Sequence, residues 1–208
     1  MSIGTEKSTR RRLAGLALAG LILAGCASTP STATVIRTLF NLPPGHSGFN
    51  NVLVISVAGD YGSRALYERS VAAAFAEDSA QVTAYFTVVG RQPVLTRTAL
   101  ETAIQARKFD AVLLTRLKGQ EQQELVANRP VGQGFDLFGY DYNELNPPSQ
   151  IERARAITFV SELYSTETRK KIWAIDALSF DNDTATDLIN DQANTIVAQL
   201  RKDRALAP

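Results

Sequence analysis

The chain holds a single cysteine, a single histidine, a single methionine and a single tryptophan in 208 residues. One cysteine excludes an intrachain disulfide, and together with one histidine it excludes the Cys/His sets that hold structural or catalytic zinc. His46 lies in a Pro/Gly-rich stretch with no nucleophile and carboxylate spaced to complete a triad around it. Charge of one sign is scarce too: 22 Lys and Arg stand against 21 Asp and Glu, with no long basic run. A nucleic-acid binder needs clustered Lys and Arg to displace counterions, so nucleic acid is not an expected partner. Long apolar runs are also lacking. The longest, Leu13 to Gly25, would rise only about 20 Å as a helix, short of the roughly 30 Å hydrocarbon core of a bilayer.

What the sequence does contain begins at its N-terminus. Lys7, Arg10, Arg11 and Arg12 precede that short apolar run, the layout of a secretory signal. Where such a signal normally ends in a small-x-small site, this one reads Leu23-Ala24-Gly25-Cys26. The four residues resemble the lipobox of bacterial lipoproteins. The resemblance implies that Cys26 takes a diacylglycerol by thioether, that the chain is cut before it, and that the new amino group is acylated. One acyl chain holds a protein only reversibly, whereas two or three make a durable anchor. Ala27 stands where that family uses Asp for inner-membrane retention, which implies the outer membrane, facing the periplasm. Arg10-Arg11 ahead of Leu13 also resembles a twin-arginine export signal, so the route of export stays open. Without residues 1–25, which hold four basic residues and one acidic, 18 basic residues remain against 20 acidic, a formal charge of −2.

Three regions follow from composition and periodicity: a signal peptide over 1–25, a Ser/Thr/Pro-rich tether over 26–50, and one domain over 51–208. Within the tether, Val35 to Phe40 has the makings of a short edge strand. In the domain, Val52 to Val57 reads as a buried strand and Tyr67, Val71, Ala74 and Phe75 as one face of a helix over about 63–76. Val82 to Val89 reads as a second strand. Thr98 and Glu101 have capping-box spacing ahead of a helix that faces Leu100, Ala103 and Ile104 inward. Ala111 to Leu117 is a third strand, and Arg155 to Tyr164 with Lys171 to Phe180 alternate like the arms of a hairpin. Their apolar residues occupy both faces, so part of the sheet's second face should be covered. Asp181 to Asp183 caps a final helix striped by Ile189, Ala193, Ile196, Val197 and Leu200. The expectation is a single-domain α/β sandwich with a mixed five-stranded sheet, order β-α-β-α-β-β-β-α, and helices mainly on one face.

That order, with the hairpin turn Tyr164-Ser-Thr-Glu-Thr-Arg-Lys-Lys-Ile-Trp173, resembles small envelope lipoproteins sharing a fold with the N-terminal domain of the translocation protein TolB. The group includes the peptidoglycan-synthase activator LpoB and the curli secretion lipoprotein CsgG. The resemblance spans roughly residues 51–204. It implies binding and assembly functions and brings no catalytic residues.

Fragments that invite chemistry fail their mechanisms' requirements. Asp181 to Asp187 starts like a calcium loop but has Thr186 at the sixth position and Gln192 at the twelfth, where glycine and a carboxylate are needed. Gly132-Gln-Gly134 lacks the strand-to-helix turn of a dinucleotide site. No catalytic residues, metal site or cofactor are expected. Gly62, Ser63 and Arg64, between a strand and a helix, form a candidate anion-binding turn, with capping by Asp60 or Ser63 as the alternative. The stretch Asn128 to Ser149 carries Phe135, Phe138, Tyr140 and Tyr142 among glycines. These rings form a candidate interaction loop, unless they fold back to close the sheet's second face. The sequence thus points to a lipid-anchored, non-catalytic binding or assembly module with an envelope protein as partner. A carrier or sensor of a small anionic or lipidic ligand is the second reading, and an envelope hydrolase the third.

Overall fold

Val52 to Val57 is apolar at nearly every position because both of its faces are covered. The computed structural model describes residues 34–57, 60–76, 78–91, 95–118, 137–138, 156–180 and 184–207. Its strands are β1 (Thr34–Phe40), β2 (Asn51–Val57), β3 (Gln81–Ala84), β4 (Ala111–Lys118), β5 (Ala156–Ser165) and β6 (Lys170–Phe180). Its helices are α1 (Tyr61–Ala74), α2 (Phe86–Val89), α3 (Arg97–Arg107) and α4 (Ala185–Lys202). The strands form one sheet of order β1-β6-β5-β4-β2-β3. β2 runs parallel to β3 and β4, while β4, β5, β6 and β1 continue antiparallel.

Two features depart from the expectation. The sheet has six strands, because Val35 to Phe40 does pair, antiparallel to β6. The folded part therefore begins before residue 51, inside the stretch assigned to the tether. It also ties back further on: Phe49 N–H donates to Ala205 O at 3.0 Å and Ala207 N–H to Phe49 O at 2.9 Å.

The helices, in turn, are divided between the two faces. α1 and α4 pack on one, where Val52, Val54, Tyr67, Val71, Leu113, Leu163, Trp173 and Ile175 form a core with Ile189, Ile196 and Leu200. α3 covers the other, where Leu53, Ile55, Val112, Leu114 and Tyr164 meet Leu100, Ala103 and Leu137. Chain handedness requires this division. The β2-α1-β3 crossover moves one way across the sheet and the β3-α3-β4 crossover moves back, so two right-handed connections must lie on opposite faces.

The segment 82–89, read as one strand, breaks after Ala84. Thr87 Oγ1 donates to Ala84 O at 2.6 Å, and Phe86 N–H turns to a carboxylate, so Phe86 to Val89 becomes a single helical turn despite two β-branched valines. α3 starts from Thr96, whose Oγ1 accepts from Ala99 N–H at 3.2 Å. Glu101 instead forms an ion pair with Arg169. α4 starts from Thr184, which accepts from Asp187 N–H at 3.1 Å and donates to its carboxylate at 2.6 Å. The residues expected to cap it, 181–183, lie outside the described residues. Its apolar stripe is buried along its whole length.

Candidate functional site

The C-terminal ends of β2 and β3 point to opposite helices, α1 on one face and α2 with α3 on the other. In open parallel sheets such a divergence leaves a crevice where ligands commonly bind. Here the crevice is filled from within. β3 turns away at Tyr85, which leaves Ser56 N–H on β2 without the strand carbonyl it would otherwise meet. Glu68, two turns into α1 and fully buried, substitutes for it. Its carboxylate accepts from Ser56 N–H at 3.1 Å and from Phe86 N–H at 2.7 Å. Burial pushes the Glu68 carboxyl up from 4.5 to about 7, while those two N–H groups and the Arg64 charge pull it down. Arg64, one turn earlier and also buried, lies over the Tyr61 ring at 5.3 Å and reaches Gly90 O at 3.5 Å.

A second buried acid joins the antiparallel half. Glu162 on β5 accepts from Lys171 Nζ at 3.0 Å and from Tyr164 Oη at 3.1 Å, with Arg116 at 3.8 Å. On the opposite face a hydroxyl chain crosses α1, β4 and β5: Tyr67 Oη donates to Thr115 Oγ1 at 3.0 Å, which meets Ser161 Oγ at 2.8 Å. Burial raises the Tyr67 hydroxyl well above the usual phenol range, so it stays a neutral donor. Each of these groups fastens neighbouring elements together. Among the described residues there is no group of three His, Cys, Asp or Glu placed to hold a metal ion.

The anion-binding turn already has an anion in it. Gly62 and Ser63 are in the first turn of α1, and Asp60 Oδ1 accepts from Ser63 N–H at 2.8 Å. The Ser63 side chain, and after it that backbone bond, hold the Asp60 carboxyl below its ordinary value. Arg64 is carried inward beside Glu68, away from the turn's exposed donors.

Of the four loop aromatics, Phe138 is among the described residues, and Phe135, Tyr140 and Tyr142 lie outside them. Phe138 packs edge-on against Tyr164 at 6.1 Å, with the Arg169 guanidinium 5.1 Å from its ring. Leu137 beside it is fully buried. At this point the loop folds back on the second face and helps to cover it. Cys26 also lies outside the described residues, and no helix among them is long and apolar enough to cross a membrane.

Two open surfaces stand out among the described residues. An open groove of about 490 Å³ runs beside the edge strand β3, lined by Arg69, Ala72, Val82, Thr83, Phe86 and Thr87. The other surface is the opposite edge, β1, the stretch with the makings of a short edge strand. Val35 is 57% exposed, Ile36 37%, Leu39 46% and Phe40 47%, and the exposed large hydrophobics among the described residues are these four. The β6 register puts Val35, Arg37 and Phe40 on the α3 side of the sheet and Ile36 on the α4 side. Arg37, itself exposed, pairs at 2.5 Å with the buried Asp176 directly across from it on β6.

No family model matches the chain, and no curated protein matches it. Among solved structures it is similar to the PelC dodecamer from Paraburkholderia phytofirmans, at 13% identity over 85% of this chain and 100% of that one, TM-score 0.45. A point-substituted form of that dodecamer aligns at 12% identity over 80% of this chain and 98% of the other, TM-score 0.44. Lipoprotein GNA1162 from Neisseria meningitidis aligns at 15% identity over 73% of this chain and 96% of that one, TM-score 0.40. Likenesses this distant say nothing of this chain's function.

Proposed function

We propose that the chain is an outer-membrane lipoprotein, anchored through acyl groups on Cys26 and facing the periplasm, whose folded part is a non-catalytic binding or assembly module of the cell envelope. The observation that carries this reading is the division of polar and apolar groups in the fold. The buried acids and hydroxyls are engaged in joining neighbouring helices and strands, as in the Glu68 bridge and the Tyr67-Thr115-Ser161 chain, while large apolar side chains stand uncovered along the β1 edge. Apolar surface left exposed in one contiguous stretch marks a place of contact with another surface. The lipobox-like Leu23-Ala24-Gly25-Cys26 supplies the anchor and the compartment.

In this reading the envelope-protein partner is met by the loop aromatics other than Phe138, namely Phe135, Tyr140 and Tyr142. Phe135→Ala with Tyr140→Ala is expected to abolish chemical cross-links to envelope proteins in intact cells while thermal unfolding of the purified chain stays unchanged. Cross-links that survive both substitutions would remove the loop from the interface.

A further inference from the structure

β1 starts very close to the proposed anchor. From Cys26 to Thr34 is eight residues. A chain of that length reaches at most about 29 Å when fully extended. The first element of the fold is therefore held within a few nanometres of whatever surface Cys26 is embedded in, and no later element is tethered so directly.

The four large apolar side chains left exposed among the described residues all sit on that same strand. They occupy both of its faces, Val35 and Phe40 on one and Ile36 on the other, as the register with β6 requires. Packing a second layer against the sheet would cover one face and leave the other in water. A surface met edge-on takes up both. An exposed apolar edge strand invites aggregation unless something covers it. The backbone groups on β1's free edge oppose deep insertion, because unpaired N–H and C=O groups are too costly in hydrocarbon, yet at the headgroup level water reaches them.

We infer that the β1 edge is a second membrane contact, with Val35, Ile36, Leu39 and Phe40 seated in the headgroup and upper acyl region of a phospholipid leaflet beside the anchored Cys26. This inference rests on the lipoprotein reading. The domain then stands on its β1 edge, with β3 and its groove at the far side of the sheet, turned to the periplasm. β3 lies five strand spacings away, about 24 Å.

The test uses the full chain purified from membranes, with one cysteine added at position 35, 39 or 81 by Val35→Cys, Leu39→Cys or Gln81→Cys. Each variant is labelled with an environment-sensitive maleimide dye and reconstituted in vesicles of phosphatidylethanolamine and phosphatidylglycerol that carry headgroup spin-labelled lipid. One dye per chain and flotation with the vesicles are expected, with quenching at 35 and 39 several-fold stronger than at 81. Two dyes per chain, or failure to float, would overturn the anchor on which the inference rests. One dye with flotation, but quenching at 35 and 39 no stronger than at 81, would overturn the β1 contact alone. Dye self-quenching at 35 that disappears on dilution with unlabelled chain would assign the edge to a second copy and overturn it as well.

Discussion

Replacing Glu68 by alanine is expected to destabilise the fold by about 3–5 kcal/mol, because it leaves one buried and one part-buried backbone donor without their acceptor and removes the negative charge that faces a buried cation. The donors are Ser56 N–H and Phe86 N–H, and the cation is Arg64. For a domain of this size the unfolding midpoint should fall on the order of 10 °C. Glu68→Gln separates charge from contact. Its amide oxygen replaces one acceptor while its NH₂ cannot replace the other, so the variant loses about 1–3 kcal/mol where the acid is protonated. The sign of the pH dependence follows from the direction of the shift. The folded chain keeps the Glu68 proton up to about 7 and the unfolded chain releases it near 4.5. The group's contribution is therefore greatest below the lower value and declines as pH rises to the upper one, by about 3 kcal/mol in all. Glu68→Gln removes that decline. Urea unfolding of both proteins across this window should show the variant weaker at the acid end and level with or above the parent at the neutral end. A difference that does not change with pH would mean that the carboxylate is not the bridge described here.

Trp173→Ala is the second large effect, expected at about 3–5 kcal/mol for a buried aromatic removed from a packed core. Trp173 is fully buried where β6 meets α4, and its Nε1–H donates to Asp203 Oδ2 at 2.8 Å. Asp203 is the C-cap residue of α4, a position where a negative charge opposes the helix dipole. Gln199 Nε2 supports the same carboxylate at 2.9 and 3.0 Å. Trp173→Phe keeps most of the volume and loses the bond, so about 1–2 kcal/mol is expected for it. Circular dichroism in urea should show both midpoints lowered with the slope unchanged. Equal losses for Phe and Ala would place the energy in the Asp203 bond instead of the packing.

These two residues also mark what could be read from the sequence. Trp173 was legible because the hairpin arm reads as a strand, and a period of two assigns Trp173 and Ile175 to one face and Ala174 to the other with no knowledge of the partners. The stripe of α4 was legible for the same kind of reason. Glu68 was not. Arg64 and Glu68 at i and i+4 have the spacing of an ordinary solvent-exposed pair on a helix, and only the early end of β3 turns them into interior groups. That end was hidden too, since Thr87-Val88-Val89 has strand propensity and the Glu68 carboxylate overrides it through Phe86 N–H. β1 was legible as a short edge strand but was not counted in the five-stranded sheet. Alternation reports burial, and a strand exposed on both faces has none to report. The division of the helices between faces was available from crossover handedness once the strand order was known, and local patterns do not supply strand order.

The candidate site divides in the same way. Phe138 could be picked out as an aromatic in a long loop, but its inward packing on Tyr164 depends on a register set by β4 and β5. The turn at Gly62 to Arg64 was recognisable as a helix start, and Asp60 acts there as the cap that formed the alternative reading.

The central claim is the anchor on Cys26, since it sets the compartment and holds β1 at a surface. Intact-mass measurement of the chain extracted from cell membranes tests it most directly. The account predicts a polypeptide that begins at Cys26 and carries the added mass of a diacylglycerol and an N-linked acyl group, all of which Cys26→Ser should abolish. A mass equal to the 208-residue chain with its leader attached and an unmodified thiol would contradict it.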